Sequence, residues 1–484
     1  MPSPRLVRYL GLAGSISLAV GARLGGAGFT RGHNLNLVRL YGGEHGVALP
    51  IFWTLGLALV VWAWWAGRRV VPSTRWALVT AALWALPLLP FAPLGSEDAY
   101  SYACQGWVQH WGGDPYHVTT NQLGCPWEMS VSPVWRDTTA PYGPLFLLLA
   151  GLTVTPGEHL VVTLAGLRLI ALAGVALMAA AVPVLARRVG ADPARATWIV
   201  LASPLVLIHF VSGMHNDALM VGLLAAGLAV AAGHNNAAGR QGPAAGRLSP
   251  AALLAAGALI GLAAGVKATA GVVLPFVVLA AVPTGTPLRR LWRPAALAGG
   301  GAVLALGALS LLSGLGLGWV NGLLRSGDTV EWTSPPTALG LTLSRLVSPF
   351  AQVDLVPAVR LVCTVLLLPL LVVLWWRARA ASSPLQHAAY ALAATVLLAP
   401  VFHPWYAVWP LAALAATWTG DEKILTRWVL APAAVVSVLA LSDGYNIALQ
   451  TKTQGALLMT AGMVALSVWL IRRRTSAPEE IRAD

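Results

Sequence analysis

Long runs of apolar residues dominate this chain, and short segments that contain Arg, Gly and Pro separate them. A helix needs about 20 apolar residues to cross a hydrocarbon core of roughly 30 Å, so the runs predict membrane-spanning helices. The two runs at 250–266 and 268–283 are short for full crossings and form either a tight hairpin or a broken pair. The predicted spans lie near residues 6–22, 48–66, 76–94, 158–186, 196–213, 217–233, 250–266, 268–283, 294–314, 355–376, 387–402, 405–418, 427–442 and 454–471.

Polar residues concentrate in one long segment between the third and fourth predicted spans, residues 95–141. Ser96 stands at an N-cap position, which places Glu97 and Asp98 in the first turn of a helix, where the dipole favours an ionised carboxylate. The two acids either only cap this helix, or one of them deprotonates an acceptor hydroxyl. Apolar residues then recur at spacings of three and four, as in an amphipathic helix on the membrane surface: Tyr100, Ala103, Cys104, Trp107, Val108 and Trp111.

A second motif, WRDTTAPYGPLF at 135–146, leads into an apolar stretch that is too short to cross the membrane. We expect this stretch to dip into the membrane and return, or to pack under the loop; the alternative is that it only begins the next span. The chain therefore divides into N-terminal membrane helices at 1–94, an external catalytic loop with interfacial and re-entrant helices at 95–157, and, at 158–484, a transmembrane bundle with short external loops and a cytoplasmic C-terminal tail.

The composition indicates a protein that is solvated largely by lipid. Of the 484 residues, 57% are hydrophobic and 10% are charged, against roughly 45–50% and about 25% in soluble domains. So few charged residues cannot cover the surface of a water-soluble globule of this size. The sequence thus predicts an all-α, polytopic membrane protein.

The net charge of +13 comes from 31 Lys and Arg residues against 18 Asp and Glu residues. With the N-terminus in the cytoplasm, 21 of the 31 cations fall on the cytoplasmic side, as the positive-inside rule requires. The basic excess is therefore an orientation signal and gives no support to nucleic-acid binding. We expect a multi-pass protein of the plasma membrane, with both termini in the cytoplasm and the 95–157 loop outside.

Two of the three cysteines, Cys104 and Cys125, lie in the external loop, while Cys363 lies in an apolar run. An extracytoplasmic compartment permits a disulfide between the first two, and independent burial of two small thiols is the alternative. The ten histidines are scattered without the spacing of zinc ligands. No structural zinc site is expected.

Several polar residues stand at the ends of predicted spans, where an intramembrane charge costs at least about 2.5–3.5 kcal/mol. Residues 215–217, residues 403–406 and Lys267 form three external corners, and Arg168 and Arg360 lie inside predicted spans. A single such residue is usually satisfied by a neighbour or by snorkelling. Several cations that converge on the outer side would instead bind the phosphate of a lipid headgroup.

Five motifs together resemble the actinobacterial polyprenol-phosphomannose-dependent α-1,6-mannosyltransferases of the GT-C superfamily, over about residues 75–420. The resemblance implies a GT-C-like bundle of about 12–14 transmembrane helices with a large first external loop. It also implies an enzyme that takes mannose from polyprenyl-phosphate mannose and extends a lipid-linked mannan on the external face. The motifs are SEDAYSYACQG at 96–106, DPY at 114–116, WRDTTAPYGPLF at 135–146, HNDALMVG at 215–222 and HPWY at 403–406.

The resemblance places the catalytic base on Asp98, with Glu97 adjacent. In the predicted reaction, Asp98 takes the proton of the acceptor's 6-hydroxyl as that oxygen attacks β-mannosyl phosphate, which inverts the anomeric carbon. No obligatory metal is expected, because no recognisable ligand set is present, although a divalent ion could assist at the phosphate. The candidates for binding the donor phosphate are Lys267, Arg136, Arg168 and Arg325. The candidates for lining the substrate pocket are Asp114, Tyr116, Trp135, Tyr142, His215, Asp217, His403 and Trp405.

Three other functions remain open at this stage. A flippase or transporter for a lipid-linked sugar would use the same spans and phosphate-binding cations, but it would not need the carboxylate of Asp98. A GT-C transferase for another sugar, such as arabinose, would keep the fold and change the donor. A purely structural membrane protein would explain the tryptophans of the loop as interface anchors but not its acids.

Overall fold

The computed structural model contains helices and no strands in the part of the chain that it describes, residues 2–27, 46–154, 157–233, 248–320, 329–439, 441–444, 448 and 451–475. This confirms the predicted all-α class. The α-helices are α1 Pro4–Gly25, α2 Ala48–Gly67, α3 Thr74–Ala85, α4 Asp98–His110, α5 Thr120–Leu123, α6 Pro133–Arg136, α7 Pro144–Thr153, α8 Leu160–Val189, α9 Pro193–Leu201, α10 Asp217–Ala231, α11 Pro250–Ala264, α12 Leu274–Ala280, α13 Trp292–Leu312, α14 Pro335–Val347, α15 Val356–Ala378, α16 Pro384–Leu398, α17 Val408–Thr417, α18 Glu422–Leu425, α19 Ala431–Val436 and α20 Lys452–Thr475.

Shorter helical turns connect these elements. The 3-10 turns are Leu86–Leu88, Glu128–Ser130, Ala268–Val273, Leu288–Arg290 and Pro404–Ala407, and the π-helical turns are Val206–Ser212 and Thr426–Leu430.

Four helices begin at a capping side chain that is followed directly by proline. The side-chain oxygen accepts a hydrogen bond from a first-turn N–H that has no partner within the helix, and proline fits the first helical position because it lacks an N–H. The pairs are Ser3–Pro4, Asp192–Pro193, Ser249–Pro250 and Ser334–Pro335.

Each of the fourteen predicted spans coincides with helical residues, but fewer helices are long enough to cross a membrane. Among the described residues, five helices have the length and apolar composition of a span: α2, α8, α13, α15 and α20. A sixth arises if α9 and the turn Val206–Ser212 count as one span with a bend of 64°. Pro204 lies at that bend, where its missing N–H interrupts the helical hydrogen bonds.

Close contacts between small residues hold the helices together. A Cβ atom on Gly56 of α2 would lie 2.9 Å from the carbonyl oxygen of Gly14 on α1, and one on Gly174 of α8 would collide with the backbone of Ala218 on α10. Without a hydrophobic effect between helices in lipid, such close packing is a main source of helix association. These glycines therefore set the distances between neighbouring helices.

Helix α4 differs from its prediction. It begins at Asp98 with Glu97 as its N-cap residue, one position later than predicted, although the Ser96 hydroxyl still accepts the Asp98 amide at 3.0 Å. Ser101 and Gln105, on the predicted polar face, are as buried as the apolar residues opposite. Protein therefore covers both faces of most of α4, while Trp111 directly after its last residue is 56% exposed; the position of α4 at the membrane surface stays a prediction.

The apolar stretch that begins at the end of the 135–146 motif forms α7, Pro144–Thr153, which packs against α4. A Cβ atom on Gly106 of α4 would lie 2.6 Å from the carbonyl oxygen of Ala150 on α7. A disulfide joins Cys104 on α4 to Cys125 in the following loop. Helix α4 is thus held from both sides, which fixes the position of its first residue, Asp98.

Candidate active site

The carboxylate of Asp98 lies at the start of α4 and faces a cavity, which we name the Asp98 cavity. The Tyr102 hydroxyl, one turn along the same helix, lies 3.4 Å from Asp98 Oδ2 and 3.3 Å from Nδ1 of His215. His215 Nδ1 itself lies 3.6 Å from Asp98 Oδ2. These neighbours leave the carboxylate in one orientation, with only 9% of the residue exposed.

Burial raises the pKa of Asp98 to about 6. The positive charge of Lys267 lowers this pKa and the negative charge of Asp217 raises it, but the loss of water is the larger effect. A carboxylate with a pKa near 6 is mostly ionised at pH 7 and is a stronger base than an ordinary aspartate.

The motif at 141–146 is hydrogen-bonded to the end of α11. The amide of Gly143 donates to the carbonyl of Val266 at 2.9 Å, and the amide of Leu145 donates to that of Gly265 at 2.8 Å. A Cβ atom at Gly143 would collide with the backbone of Gly265, so the approach requires glycine. This contact brings Tyr142 next to Lys267, although the two are far apart in sequence.

A buried ion pair lies beside Asp98. Lys267 Nζ donates to both carboxylate oxygens of Asp217, at 2.9 and 2.8 Å, and the Trp409 indole N–H donates to Asp217 Oδ1 at 2.7 Å. Asp217 is fully buried and the Lys267 side chain is 11% exposed. Such a pair survives burial only with these additional hydrogen bonds, because each ion has lost its water.

Aromatic rings surround the remaining side of the ammonium group. Lys267 Nζ lies 4.5 Å from the ring centre of Tyr406, 5.4 Å from that of Trp409 and 5.8 Å from that of Tyr142. The faces of these rings attract a cation, and they keep it in place at the edge of the Asp98 cavity.

The rings of two histidines stack against the indole of Trp405. Its ring centre lies 3.7 Å from that of His215 and 4.7 Å from that of His403. Burial lowers the pKa of His215 well below its ordinary value and lowers that of His403 to about 3. Both imidazoles are therefore neutral at pH 7. His403 lines the Asp98 cavity and offers a hydrogen bond to a substrate, whereas His215 and Asp217, predicted to line it, are fully buried behind it.

The Asp98 cavity has a volume of about 290 Å³ and two different walls. One wall is polar and aromatic and includes Asp98, Trp135, Tyr142, Lys267, His403, Trp405 and Tyr406. The other consists of side chains from α15 and α16: Thr364, Leu367, Thr395, Val396 and Leu398. Helix α15 has no buried residue in its most apolar window, so its outer side faces lipid.

Two of the predicted phosphate ligands do not line the Asp98 cavity. The guanidinium of Arg168 donates to the carbonyls of Leu89, Phe91 and Ser212. That of Arg136 donates to carbonyls of the same loop. Both cations satisfy backbone oxygens that no helix or turn has paired, which is a structural role. Arg325 lies outside the described residues.

Three further predicted residues support the cavity from outside it. Asp114 Oδ1 accepts the amide of Tyr116 at 2.9 Å, and its Oδ2 lies 2.8 Å from Nδ1 of the exposed His117. The Tyr116 hydroxyl donates to the carbonyl of Tyr142 at 2.8 Å and so holds that residue at the cavity. Glu97 is the N-cap residue of α4 and is not among the residues that line the cavity.

Sequence reasoning missed two residues of the site. Trp409, which binds Asp217, was treated only as part of an apolar span. Glu331 is buried, and its Oε2 lies 3.7 Å from His403 Nδ1, where it orients that ring. The available signal was an isolated acid directly before a Trp-Thr-Ser-Pro-Pro segment that caps a helix.

The arrangement combines a base, a cation and hydrogen-bonding rings in a cavity that reaches a lipid-facing helix. A carboxylate with a raised pKa accepts a proton from a bound hydroxyl, and an adjacent ammonium stabilises negative charge on a leaving group. The described residues contain no group of three or more His, Cys, Asp and Glu side chains with the geometry of a metal site.

Comparison with known proteins gives consistent results over most of the chain. Residues 8–283 match the family described as "Alpha-(1->6)-mannopyranosyltransferase, N-terminal domain", and residues 336–471 match the "MptB C-terminal domain". The chain is 36% identical to α-(1→6)-mannopyranosyltransferase A of Mycobacterium tuberculosis, over 87% of this chain and 83% of the relative. It is 30% identical to α-(1→6)-mannopyranosyltransferase A of Corynebacterium glutamicum, over 80% and 84%. No solved structure matches the chain.

Proposed function

The chain belongs to the α-(1→6)-mannopyranosyltransferase family, and we propose on that premise that it transfers mannose from polyprenyl-phosphate mannose to a lipid-linked mannan acceptor. The product has an α-1,6 linkage, and the reaction takes place on the extracytoplasmic face of the membrane. The single observation that carries the proposal is that Asp98 and Lys267 face one cavity whose opposite wall belongs to a lipid-facing helix.

The reaction is a displacement at the anomeric carbon with Asp98 as general base. The acceptor's 6-hydroxyl oxygen attacks this carbon while Asp98 takes the hydroxyl proton. The bond between the anomeric carbon and the phosphate oxygen breaks, and polyprenyl phosphate leaves with the electron pair. Attack on β-mannosyl phosphate from the face opposite the phosphate gives the α-linkage.

Lys267 stabilises the leaving phosphate in this proposal. An ammonium group has three N–H donors, and Asp217 accepts from it at both carboxylate oxygens, which leaves one donor for the phosphate. His403, which lines the cavity, is neutral, so its ring hydrogen-bonds to sugar hydroxyls or phosphate oxygens without adding charge.

The apolar wall of the Asp98 cavity accommodates the start of the polyprenyl chain. Leu367, Val396 and Leu398 present apolar surface beside the polar wall, so an amphiphilic donor has matching surface at both ends. The sugar and phosphate would then lie between Asp98 and Lys267, with the isoprenoid directed toward the lipid outside α15.

The proposed orientation follows from the arginines at the ends of the long helices. Helices α15 and α20 both end in basic segments, which include Arg377 and Arg472. The positive-inside rule puts these ends in the cytoplasm, and therefore puts the Asp98 cavity near the opposite face.

We propose that the reaction has no obligatory divalent metal, since Lys267 supplies positive charge for the leaving group. Purified enzyme should keep its transfer activity after treatment with a chelator. Activity that disappears with chelator and returns with Mg²⁺ or Mn²⁺ would contradict this part of the proposal.

Asp98→Asn tests the central claim, with Glu97→Gln as the matched control. Loss of a general base lowers the rate by roughly 10²- to 10⁴-fold, whereas Glu97→Gln should stay within a few-fold of the wild type. Mannose transfer in membranes at equal expression is the measurement. Near-wild-type transfer by Asp98→Asn would favour the flippase alternative, because transport does not need a base.

A further inference from the structure

A second cavity lies apart from the Asp98 cavity, and we name it the outer pocket. It has a volume of about 500 Å³ and lies between α14, the turn 348–355 and the first residues of α20. No described residue lines both cavities. The side chains that give the outer pocket its polar character are Ser344, Arg345, Gln352, Asp354, Lys452 and Thr453.

The outer pocket contains two cations that have no side-chain partner among the described residues. Within the part of the chain that the structure describes, neither Arg345 nor Lys452 makes an ion pair or a side-chain hydrogen bond. The acid in the pocket, Asp354, accepts the amide of Val356 at 2.9 Å, at the beginning of α15. Within the described part of the pocket, the N–H groups of Arg345 and Lys452 therefore have no protein acceptor. Two such cations favour an anionic ligand.

Exposed apolar side chains border these cations. Phe350 is 91% exposed, Leu346 is 62% exposed and Val353 is 48% exposed, all in or beside the turn between α14 and α15. A free inorganic anion would gain nothing from such a border. An amphiphile with an anionic head and an apolar body would contact both kinds of surface.

The outer pocket lies at the ends of two predicted membrane-spanning helices, as expected for a site at the membrane surface. Helices α15 and α20 have the length and composition of spans, and both begin at the outer pocket, at Val356 and Lys452. Their opposite ends carry the arginines that the positive-inside rule puts in the cytoplasm. The outer pocket then lies at the headgroup level of the extracytoplasmic leaflet.

We propose that the outer pocket binds the phosphate headgroup of an anionic membrane lipid, through Arg345 and Lys452. Lipid chains would lie against Leu346, Phe350 and Val353. This site is separate from the Asp98 cavity, so the proposal does not depend on the reaction assigned to Asp98.

Native mass spectrometry of the full-length protein in detergent, titrated with phosphatidylglycerol or phosphatidylcholine, tests the proposal. The wild type should retain phosphatidylglycerol and should not retain phosphatidylcholine. The double variant R345Q/K452Q should bind phosphatidylglycerol roughly thirtyfold more weakly, at about fivefold per cation removed. The charge-conserving variant R345K/K452R should bind within a few-fold of the wild type.

The matched control removes the same charge elsewhere on the surface. R289Q/R290Q alters two exposed arginines in the turn Leu288–Arg290 and should leave the affinity unchanged. D354N should strengthen binding, because it removes the acid that lines the described part of the pocket, while an amide oxygen can still accept the Val356 amide.

Two results would overturn the proposal. Equal retention of phosphatidylglycerol by the wild type and by R345Q/K452Q would mean that these cations do not bind it. Complete competition by inorganic phosphate at millimolar concentration would mean that the pocket takes a free anion and not a lipid. Unchanged melting temperature and mannose transfer in R345Q/K452Q would show that the variant is folded.

Discussion

The Asp98 cavity has one wall of charged and aromatic side chains and another of apolar and hydroxyl side chains. The polar wall comes from the start of α4, the 135–142 segment, Lys267 and the 403–409 segment, and the charged groups of Asp98 and Lys267 are nearly buried in it. The other wall comes from α15 and α16, and α15 exposes Leu361, Val365 and Leu366 on its outer side.

The difference between the walls reflects what surrounds each of them. Behind the polar wall Asp217 is fully buried in protein, so it needs partners in the chain, which are Lys267 and Trp409. Behind α15 there is lipid, which solvates apolar side chains without any partner. A single substitution should therefore be costly in the polar wall and tolerated in the apolar one.

The largest expected effect comes from Lys267→Met, which leaves Asp217 buried without its cation. Removal of one partner of a buried pair costs about 3–5 kcal/mol of stability, and the leaving phosphate also loses its cation. The melting temperature in detergent and mannose transfer should both fall sharply.

The double variant Asp217→Asn/Lys267→Met separates these two effects. It contains no unpaired ion, so its melting temperature should recover most of the loss while transfer stays low. Recovery of transfer together with stability would show that Lys267 acts only through the fold, which would contradict its role at the phosphate.

The pH profile should show the base of the polar wall directly. Burial raises the pKa of Asp98 to about 6, so the active, ionised form is lost as the pH falls through 6. We expect kcat/KM to fall about tenfold per pH unit below pH 6 and to be level above pH 7. Burial disfavours the ionised form, so the same carboxylate makes the fold less stable as the pH rises from the ordinary pKa of 3.8 to about 6, and the stability is level above that. A profile that is level from pH 5 to 8 would remove Asp98 as the base.

The smallest expected effect is in the apolar wall. Leu367 lines the Asp98 cavity, whereas Leu366 is 55% exposed on the lipid side of the same helix. Leu367→Trp should raise the KM for the lipid donor by roughly tenfold because it fills space that the donor needs. Leu366→Trp should change neither KM nor stability. Equal effects of the two variants would mean that the donor does not contact this wall.

The sequence predicted the helical class and the regions of the spans well, because apolar runs are visible without a structure. It predicted their lengths less well, since breaks such as the one at Pro204 depend on how neighbouring segments pack. Helix α4 shows the same limit. Its period is that of an amphipathic helix, but both faces are buried because α7 and other segments cover them.

The motifs identified Asp98, Tyr142 and His403 of the polar wall, and Lys267 was identified as an isolated cation at a span end, because those residue types are rare in an apolar chain. The arginines were harder to assign. Arg168 is as rare and as deeply placed as Lys267, but unpaired backbone carbonyls of distant segments take up its donors, and a sequence does not reveal such carbonyls. Glu331 was missed because its partner His403 is remote in the chain.

The hydrogen bonds from Gly143 and Leu145 to Val266 and Gly265 also set an order of events during synthesis. The loop leaves the ribosome well before its docking partner, and at about 5–20 residues per second the delay is several seconds. During that interval Asp98 and Tyr142 have neither Lys267 nor the end of α11 beside them. The nascent enzyme is therefore inactive at least until α11 and, later, the 403–409 segment have been inserted, and chaperones or proteases on the loop's side of the membrane can act on the waiting loop.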